Sequence, residues 1–307
     1  MPSRRPIRIV SLVPSATEIL CALGLAKDIV GISHYCDYPP EIVNRPRLTA
    51  TTLGPDLSSY EIDQKVRASA ASGHSLYVIQ MQLLESLHPD LVITQEQCSV
   101  CAVDRDRTVC ALESIKLNAK WLSLLATGFS GLYKDILDVG SATERTAESE
   151  RLVAALAGRL ELVQNRTASQ HHPRVFCLSW FDPLMSGGNW ITHMVNLAGG
   201  DPRVGSETDV SSPIEIDLLR EEVPEVIFLL PCSLSQTRIV AEWAGLRDRL
   251  PWREFPAVRE GRVFALESSL FHRPGPRLID GVELMAALIH PRRCSFDGEL
   301  DLWRKVA

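Results

Sequence analysis

Two rhythms of apolar residues run along this chain. Short apolar runs at Ile7–Val13, Asp28–Tyr35, Leu91–Thr94 and Lys120–Leu125 have strand length, and runs with a three- and four-residue recurrence lie between them. The recurrent segments predict helices over Thr17–Leu23, ended by Gly24, over Glu61–Ala70 and over Leu132–Val139, with a further one closing at Leu83–Leu87. The same alternation resumes after Pro173. Strands are expected at Arg174–Leu178, Val226–Leu230 and Arg262–Leu266. Helices are expected at Trp190–Ala198, Ile214–Glu221, Leu246–Leu250 and Arg277–Ile289. Gly199-Gly200 supplies a C-cap signal after the first of these.

Between the two halves lies Ser141–Asn165, read as one long helix. Leu152, Val153, Leu156, Ala157, Leu160 and Val163 form its apolar stripe. Ser141 and Glu144 have capping-box spacing, as do Ser15 and Glu18 earlier in the chain. Gly158 costs it about 1 kcal/mol against Ala, and its length is roughly 35 Å at 1.5 Å per residue. The pattern predicts an α/β protein with an N-terminal lobe over 1–140, a connecting helix over 141–165 and a C-terminal lobe over 166–307. The plainer alternative is a single large sheet with this helix as one crossover.

At 307 residues the chain is long enough for two cores. Its net charge of −6 gives no electrostatic case for nucleic acid or an anionic membrane. The longest apolar runs are far too short to span a bilayer. The basic start is followed by Ile9–Val13, broken by Ser11 and ended by Pro14, so no secretory signal is read. The expectation is a cytoplasmic protein whose eight cysteines are thiols; an exported form whose leader had been removed would look the same.

In open α/β sheets, ligands sit outside the carboxyl ends of the strands. The residues following each strand here are Ser15; His34, Tyr35 and Cys36; Gln95, Glu96, Cys98 and Cys101; Trp180, Phe181 and Asp182; Cys232; and His272. Tyr35, Trp180, Phe181 and Trp190 suit an aromatic pocket for a large flat ligand. Their commoner fate is to fill a core. Cys36, Cys98 and Cys101, with Cys232, His34 or His272 nearby in the pattern, are candidate soft metal ligands. Cys98 and Cys101 have half-site spacing but no second pair, and two small buried residues in a loop would look alike. No nucleophile elbow, phosphate loop, zinc-protease helix or dinucleotide fingerprint occurs.

Arg8-Ile9-Val10-Ser11-Leu12-Val13-Pro14-Ser15-Ala16-Thr17-Glu18, Val30-Gly31-Ile32-Ser33 and His88-Pro89-Asp90-Leu91-Val92-Ile93 resemble the substrate-binding proteins of cobalamin, heme and iron-siderophore importers. So do Trp180-Phe181-Asp182-Pro183-Leu184, Gly188-Asn189-Trp190, Leu197-Ala198-Gly199-Gly200 and Pro224-Glu225-Val226-Ile227-Phe228. Arg259-Glu260-Gly261-Arg262-Val263-Phe264-Ala265 and Arg273-Pro274-Gly275-Pro276-Arg277 are closest to the cobalamin-binding branch.

The resemblance implies the class III substrate-binding fold: two Rossmann-like lobes joined by a single long backbone helix, with one ligand in an interlobe cleft and no catalysis. The implied ligand is a cobalamin-like corrinoid or other metal chelate. Its implied contacts are Ser15, Tyr35, Trp180, Phe181 and Trp190, with Gln95 and His272; Cys36, Cys98 and Asp182 are added as ligand contacts from their places after the strands. Importer-bound members dock on an ABC permease through an acidic residue on each lobe. Here the first such position falls near the neutral Gln82, and the second at Glu215 or Asp217. Two alternatives stay open on the same fold: a cytosolic protein with a Cys-ligated metal, and a corrinoid-processing enzyme using Asp182 or Glu96 as general base.

Overall fold

The computed structural model describes residues 6–54, 56–72, 75–96, 118–205, 211–298 and 300–307. The chain divides into two compact units, Met1–Ala155 and Leu156–Ala307.

The first unit begins with β1 (Ile9–Ser11), α1 (Pro14–Ala22), β2 (Ile29–Ile32), β3 (Thr49–Thr51), α2 (Ser59–Ser72) and β4 (Tyr77–Ile79). It continues with α3 (Met81–Ser86), β5 (Leu91–Gln95), β6 (Lys120–Leu124), α4 (Phe129–Ala142) and the start of α5 (Thr146–Thr167). Its main sheet has the order β2-β1-β5-β6 and is parallel throughout. Every residue of β1 is buried, as expected of a strand covered on both faces. A separate antiparallel pair joins β3 to β4, with Thr49 opposite Ile79.

Both capping boxes read from spacing fail. α1 starts at Pro14 with Val13 as its cap residue and no side-chain cap bond, so Ser15 lies inside the first turn. Ser141 is in the last turn of α4, and Glu144 takes a left-handed backbone with φ 58° before α5 begins at Thr146. The true reciprocal box is at α2. There the Ser58 N–H donates to Glu61 Oε2 at 2.8 Å, and the Glu61 N–H donates to Ser58 Oγ at 3.3 Å.

The second unit takes the rest of α5, then β7 (Arg174–Phe181), β8 (Leu184–Ser186), α6 (Trp190–Leu197), β9 (Asp201–Pro202), α7 (Ile216–Glu222) and β10 (Val226–Leu229). α8 (Gln236–Arg249), α9 (Pro256–Arg259), β11 (Val263–Leu266), α10 (Ser269–His272), α11 (Leu278–Ile289) and β12 (Trp303–Lys305) complete it. The sheet order is β12-β11-β10-β7-β8, with β9 beside β7. β7, β10 and β11 are parallel, while β8 and β12 run antiparallel at the two ends of that order. All of β10 and β11 is buried.

α8 is much longer than the Leu246–Leu250 segment expected. Its first turns are polar, and only Ile239, Trp243 and Leu246 turn inward. Gly199, at φ 79°, ends α6 as its C-cap signal predicts. No helix among the described residues is long and apolar enough to cross a membrane.

Candidate functional site

Parallel pairing puts the carboxyl ends of β1, β2 and β5 on one edge of the first unit's sheet. Behind that edge lies a buried polar network. Thr17 Oγ1 is 2.8 Å from Ser11 Oγ and 3.1 Å from Cys36 Sγ, and Ser33 Oγ is 3.4 Å from the same sulfur. Cys36 is fully buried, so its thiol belongs to this network and is not presented at the surface of the edge.

His34 sits beside it. Its backbone N–H donates to Thr49 Oγ1 at 2.9 Å, and its Nδ1 lies 2.6 Å from that oxygen. Its ring is 4.2 Å from that of Tyr35 and 5.6 Å from that of Tyr77. Burial first, and the Arg47 charge second, lower its pKa below the ordinary 6.5, which favours the neutral imidazole. Ser15 Oγ, His34 Nε2 and Thr94 Oγ1 are buried side-chain atoms without a hydrogen-bond partner among the described residues. Gln95 closes β5, half-buried. Cys98 and Cys101 lie outside the described residues.

The second unit gathers a different set at the carboxyl ends of β7, β10 and β11. Trp180 is half-buried near the end of β7, and its indole N–H donates to the Asp182 carbonyl at 3.1 Å. The pleat turns the next residue the other way: Phe181 is 3% exposed and belongs to the core. Asp182 occupies the turn from β7 into β8, half-buried. Trp190 starts α6, and its indole N–H donates to the Phe271 carbonyl of α10 at 2.7 Å. His272 Nε2 lies 2.5 Å from the Leu230 carbonyl, just past β10. A carbonyl only accepts, so this ring carries its proton on Nε2. Ser233 N–H donates to Ser268 Oγ at 3.0 Å, tying the turns after β10 and β11 together.

The structure therefore brings Ser15, Tyr35 and Gln95 to one edge, and Trp180, Asp182, Trp190 and His272 to another. It withdraws Ser15, Cys36 and Phe181 from exposed positions. It adds Thr49, Tyr77 and Thr94, which sequence reasoning did not single out. Thr49 and Tyr77 come from the β3–β4 pair, two strands of three residues each that are too short to leave a clear periodic signal. Among the described residues, no group of three or more His, Cys, Asp or Glu side chains is placed to hold a metal ion. Gln82 is exposed on α3, and Glu215 is exposed at the cap position of α7. Asp217 is paired with Arg220.

A family profile described as periplasmic binding protein matches residues 9–270. The chain is 26% identical over 296 residues to an uncharacterized ABC transporter substrate-binding lipoprotein of Bacillus subtilis (strain 168), covering 94% of this chain and 81% of that one. It is 25% identical over 286 residues to a vitamin B12-binding protein of Vibrio cholerae, covering 90% and 86%. Among solved structures it resembles a periplasmic heme-binding protein from Pseudomonas aeruginosa, with a TM-score of 0.74, 20% identity and 97% of each chain covered.

Proposed function

The chain belongs to the periplasmic binding protein family, and from that premise we propose that it binds a flat metal chelate, with a cobalamin-like corrinoid first and heme second. The fold is the class III form, and the family consists of substrate-binding proteins, which catalyse no reaction. Such proteins bind small ligands and work with a permease in ABC import. The family is periplasmic or lipoprotein, and the cytoplasmic location expected from the amino terminus finds no support in it.

The observation that carries the ligand reading is the state of the two edge tryptophans. Both indole N–H groups are already spent on backbone carbonyls, Trp180 on Asp182 and Trp190 on Phe271. Their polar tips are fixed, and what each half-buried ring has left to offer is apolar surface. Tyr35 plays the matching part in the first unit, backed by His34 and Tyr77. Asp182 and Gln95 supply polar groups beside the rings, Ser15 a buried hydroxyl without a hydrogen-bond partner among the described residues, and Cys98 is proposed with them on its place in the chain alone. His272, with Nε2 engaged by Leu230, keeps a lone pair on Nδ1 for a ligand donor or metal. Large flat ligands are held in this way, by apolar faces and a few placed polar groups. The corrinoid preference rests on the likeness to a vitamin B12-binding protein over 90% of this chain.

The test is absorbance titration of the purified protein with cobalamin, heme and a ferric siderophore, followed by calorimetry. A saturable spectral shift with cobalamin is expected, with affinity falling at least tenfold in both Tyr35→Ala and Trp190→Ala. Each variant tests the edge to which its residue belongs. A saturable shift with heme alone would replace the corrinoid, and no shift with any of the three would overturn the chelate reading.

A further inference from the structure

The second unit carries a concavity that the ligand reading does not use. α8 follows β10 and runs back along the sheet, and α9 leads into β11. The last strand, β12, runs antiparallel to β11, so the Val263 N–H donates to the Ala307 carbonyl at 3.3 Å. These three chain ends meet at the amino end of β11, opposite the carboxyl edge described above. They border an open pocket of about 390 Å³ lined by Arg247, Arg253, Val258, Arg259 and Ala307.

Three guanidinium groups from three elements thus share one pocket. Arg247 and Arg259 lie in the last turns of α8 and α9, where the helix dipole alone accounts for a cation. It accounts neither for Arg253, which belongs to the 3-10 turn Trp252–Glu254, nor for the convergence of all three. Nearby carboxylates neutralise the set only in part. Glu254 is paired with Arg220 at 3.0 Å, and Asp248 forms an ion pair with Arg247 Nε at 3.8 Å that is too long to be a hydrogen bond. Arg253 and Arg259 have no ion-pair partner among the described residues. Arg247 Nε is buried with no hydrogen-bond partner there. A buried guanidinium N–H without an acceptor is costly, and an arriving oxyanion would supply the acceptor.

We propose that this pocket binds a phosphate group. Guanidinium forks pair two N–H groups with two phosphate oxygens, and three converging forks suit a multiply charged group better than a single carboxylate. The phosphate belongs either to a small soluble molecule or to a lipid headgroup, and the same three arginines recognise both.

The experiment titrates the full-length protein with pyrophosphate, following thermal unfolding and calorimetric heat, with potassium chloride at matched ionic strength as the control. The Arg253→Gln/Arg259→Gln double variant changes only exposed side chains. Flotation with phosphatidylglycerol vesicles and with phosphatidylcholine vesicles separates the sources. Saturable pyrophosphate binding, at least tenfold weaker in the double variant, supports a soluble ligand. Flotation with phosphatidylglycerol alone, lost in the double variant, supports a headgroup. Chloride reproducing the effect, or wild type and variant behaving alike in every arm, overturns the proposal. The chelate titration is expected to be the same in wild type and double variant, so failure of one reading does not carry the other.

Discussion

His34 and Thr49 are joined through a single oxygen: Thr49 Oγ1 accepts the His34 backbone N–H at 2.9 Å and lies 2.6 Å from its Nδ1. That hydroxyl holds a residue just past β2 to the first residue of β3, and it is almost wholly buried. Thr49→Val keeps the shape and removes both contacts, leaving an N–H without an acceptor. The expected loss is roughly 1–3 kcal/mol, the usual cost of stranding a buried polar group. Thr49→Ser should restore most of it. Urea midpoints of the three proteins decide; a Val variant as stable as wild type would show that the oxygen is not needed.

Two histidines make stability depend on pH in one direction. His34 and His290 both have pKa values below the ordinary 6.5, and burial is the first cause in each. The His290 Nε2 contact with the Gly199 carbonyl, at 2.9 Å, opposes that shift without cancelling it. A lowered folded-state pKa means that the unfolded chain takes up protons first as pH falls. Stability is therefore unaffected by these groups well above 6.5. It declines as pH drops through 6.5 and levels off once the folded pKa values are passed. Chemical denaturation at pH 7.5, 6.5, 5.5 and 5.0 should show this fall, and a His34→Asn/His290→Asn variant should show a flatter profile.

Arg159 ties the C-terminal half of α5 to α11. It grips Glu283 with two nitrogens, at 2.9 and 2.6 Å, and reaches Asp280 at 2.5 Å. The three side chains are about a third exposed, which screens the attraction. Arg159→Met should cost about 1 kcal/mol, and 0.5 M salt should narrow the gap between variant and wild type. A salt-independent difference would assign the effect to packing of the arginine stem instead.

Most strands and helices were legible because their buried faces are written in apolar periodicity: β5, β10, β11 and α11 lie within a residue or so of where the pattern puts them. Boundaries failed where a polar pair mimicked a cap. Ser141 and Glu144 have the right spacing, yet the chain turns there through a left-handed residue. β12 was invisible because it is short and half polar; it is held by pairing to β11 and by Trp303 packing edge-on to Phe264 at 6.0 Å. At the site, the parallel sheet placed Tyr35, Trp180 and His272 at strand ends as their order implies. Alternation within β7 sent Phe181 inward, a consequence of that strand extending to Phe181 and not ending at Leu178. Partners such as Thr49 are tertiary neighbours with no local signal.

The break between α4 and α5 depends on a missing side chain. A Cβ on Gly140 would stand 2.1 Å from Ser149 Oγ and 2.4 Å from its Cβ. Ser149 is fully buried and donates to the Thr146 carbonyl at 2.8 Å, so it has nowhere to go. Gly140→Ala should destabilise by roughly 1–3 kcal/mol, the range for overpacking. Gly140→Ala/Ser149→Gly should recover part of that loss by vacating the contact. Thermal unfolding of the single and double variants tests it; a double variant no better than the single would place the strain elsewhere.

Trp243 and Trp252 meet edge to face with ring centres 4.9 Å apart, both essentially inaccessible to solvent. Neither indole N–H has a hydrogen-bond partner among the described residues. The two rings therefore combine a large apolar gain with an uncompensated polar loss on each. Replacing Trp252 by Ala opens a cavity and should cost roughly 3–5 kcal/mol. Trp252→Phe removes less apolar area and also discards the stranded N–H, whose burial costs about 1–3 kcal/mol. The two changes offset, so the Phe variant should fall within about 1 kcal/mol of wild type despite the smaller ring. Urea midpoints and tryptophan fluorescence read both variants. If Trp252→Phe proves nearly as damaging as Trp252→Ala, the indole N–H is satisfied in solution, and the packing of the larger ring accounts for the whole contribution.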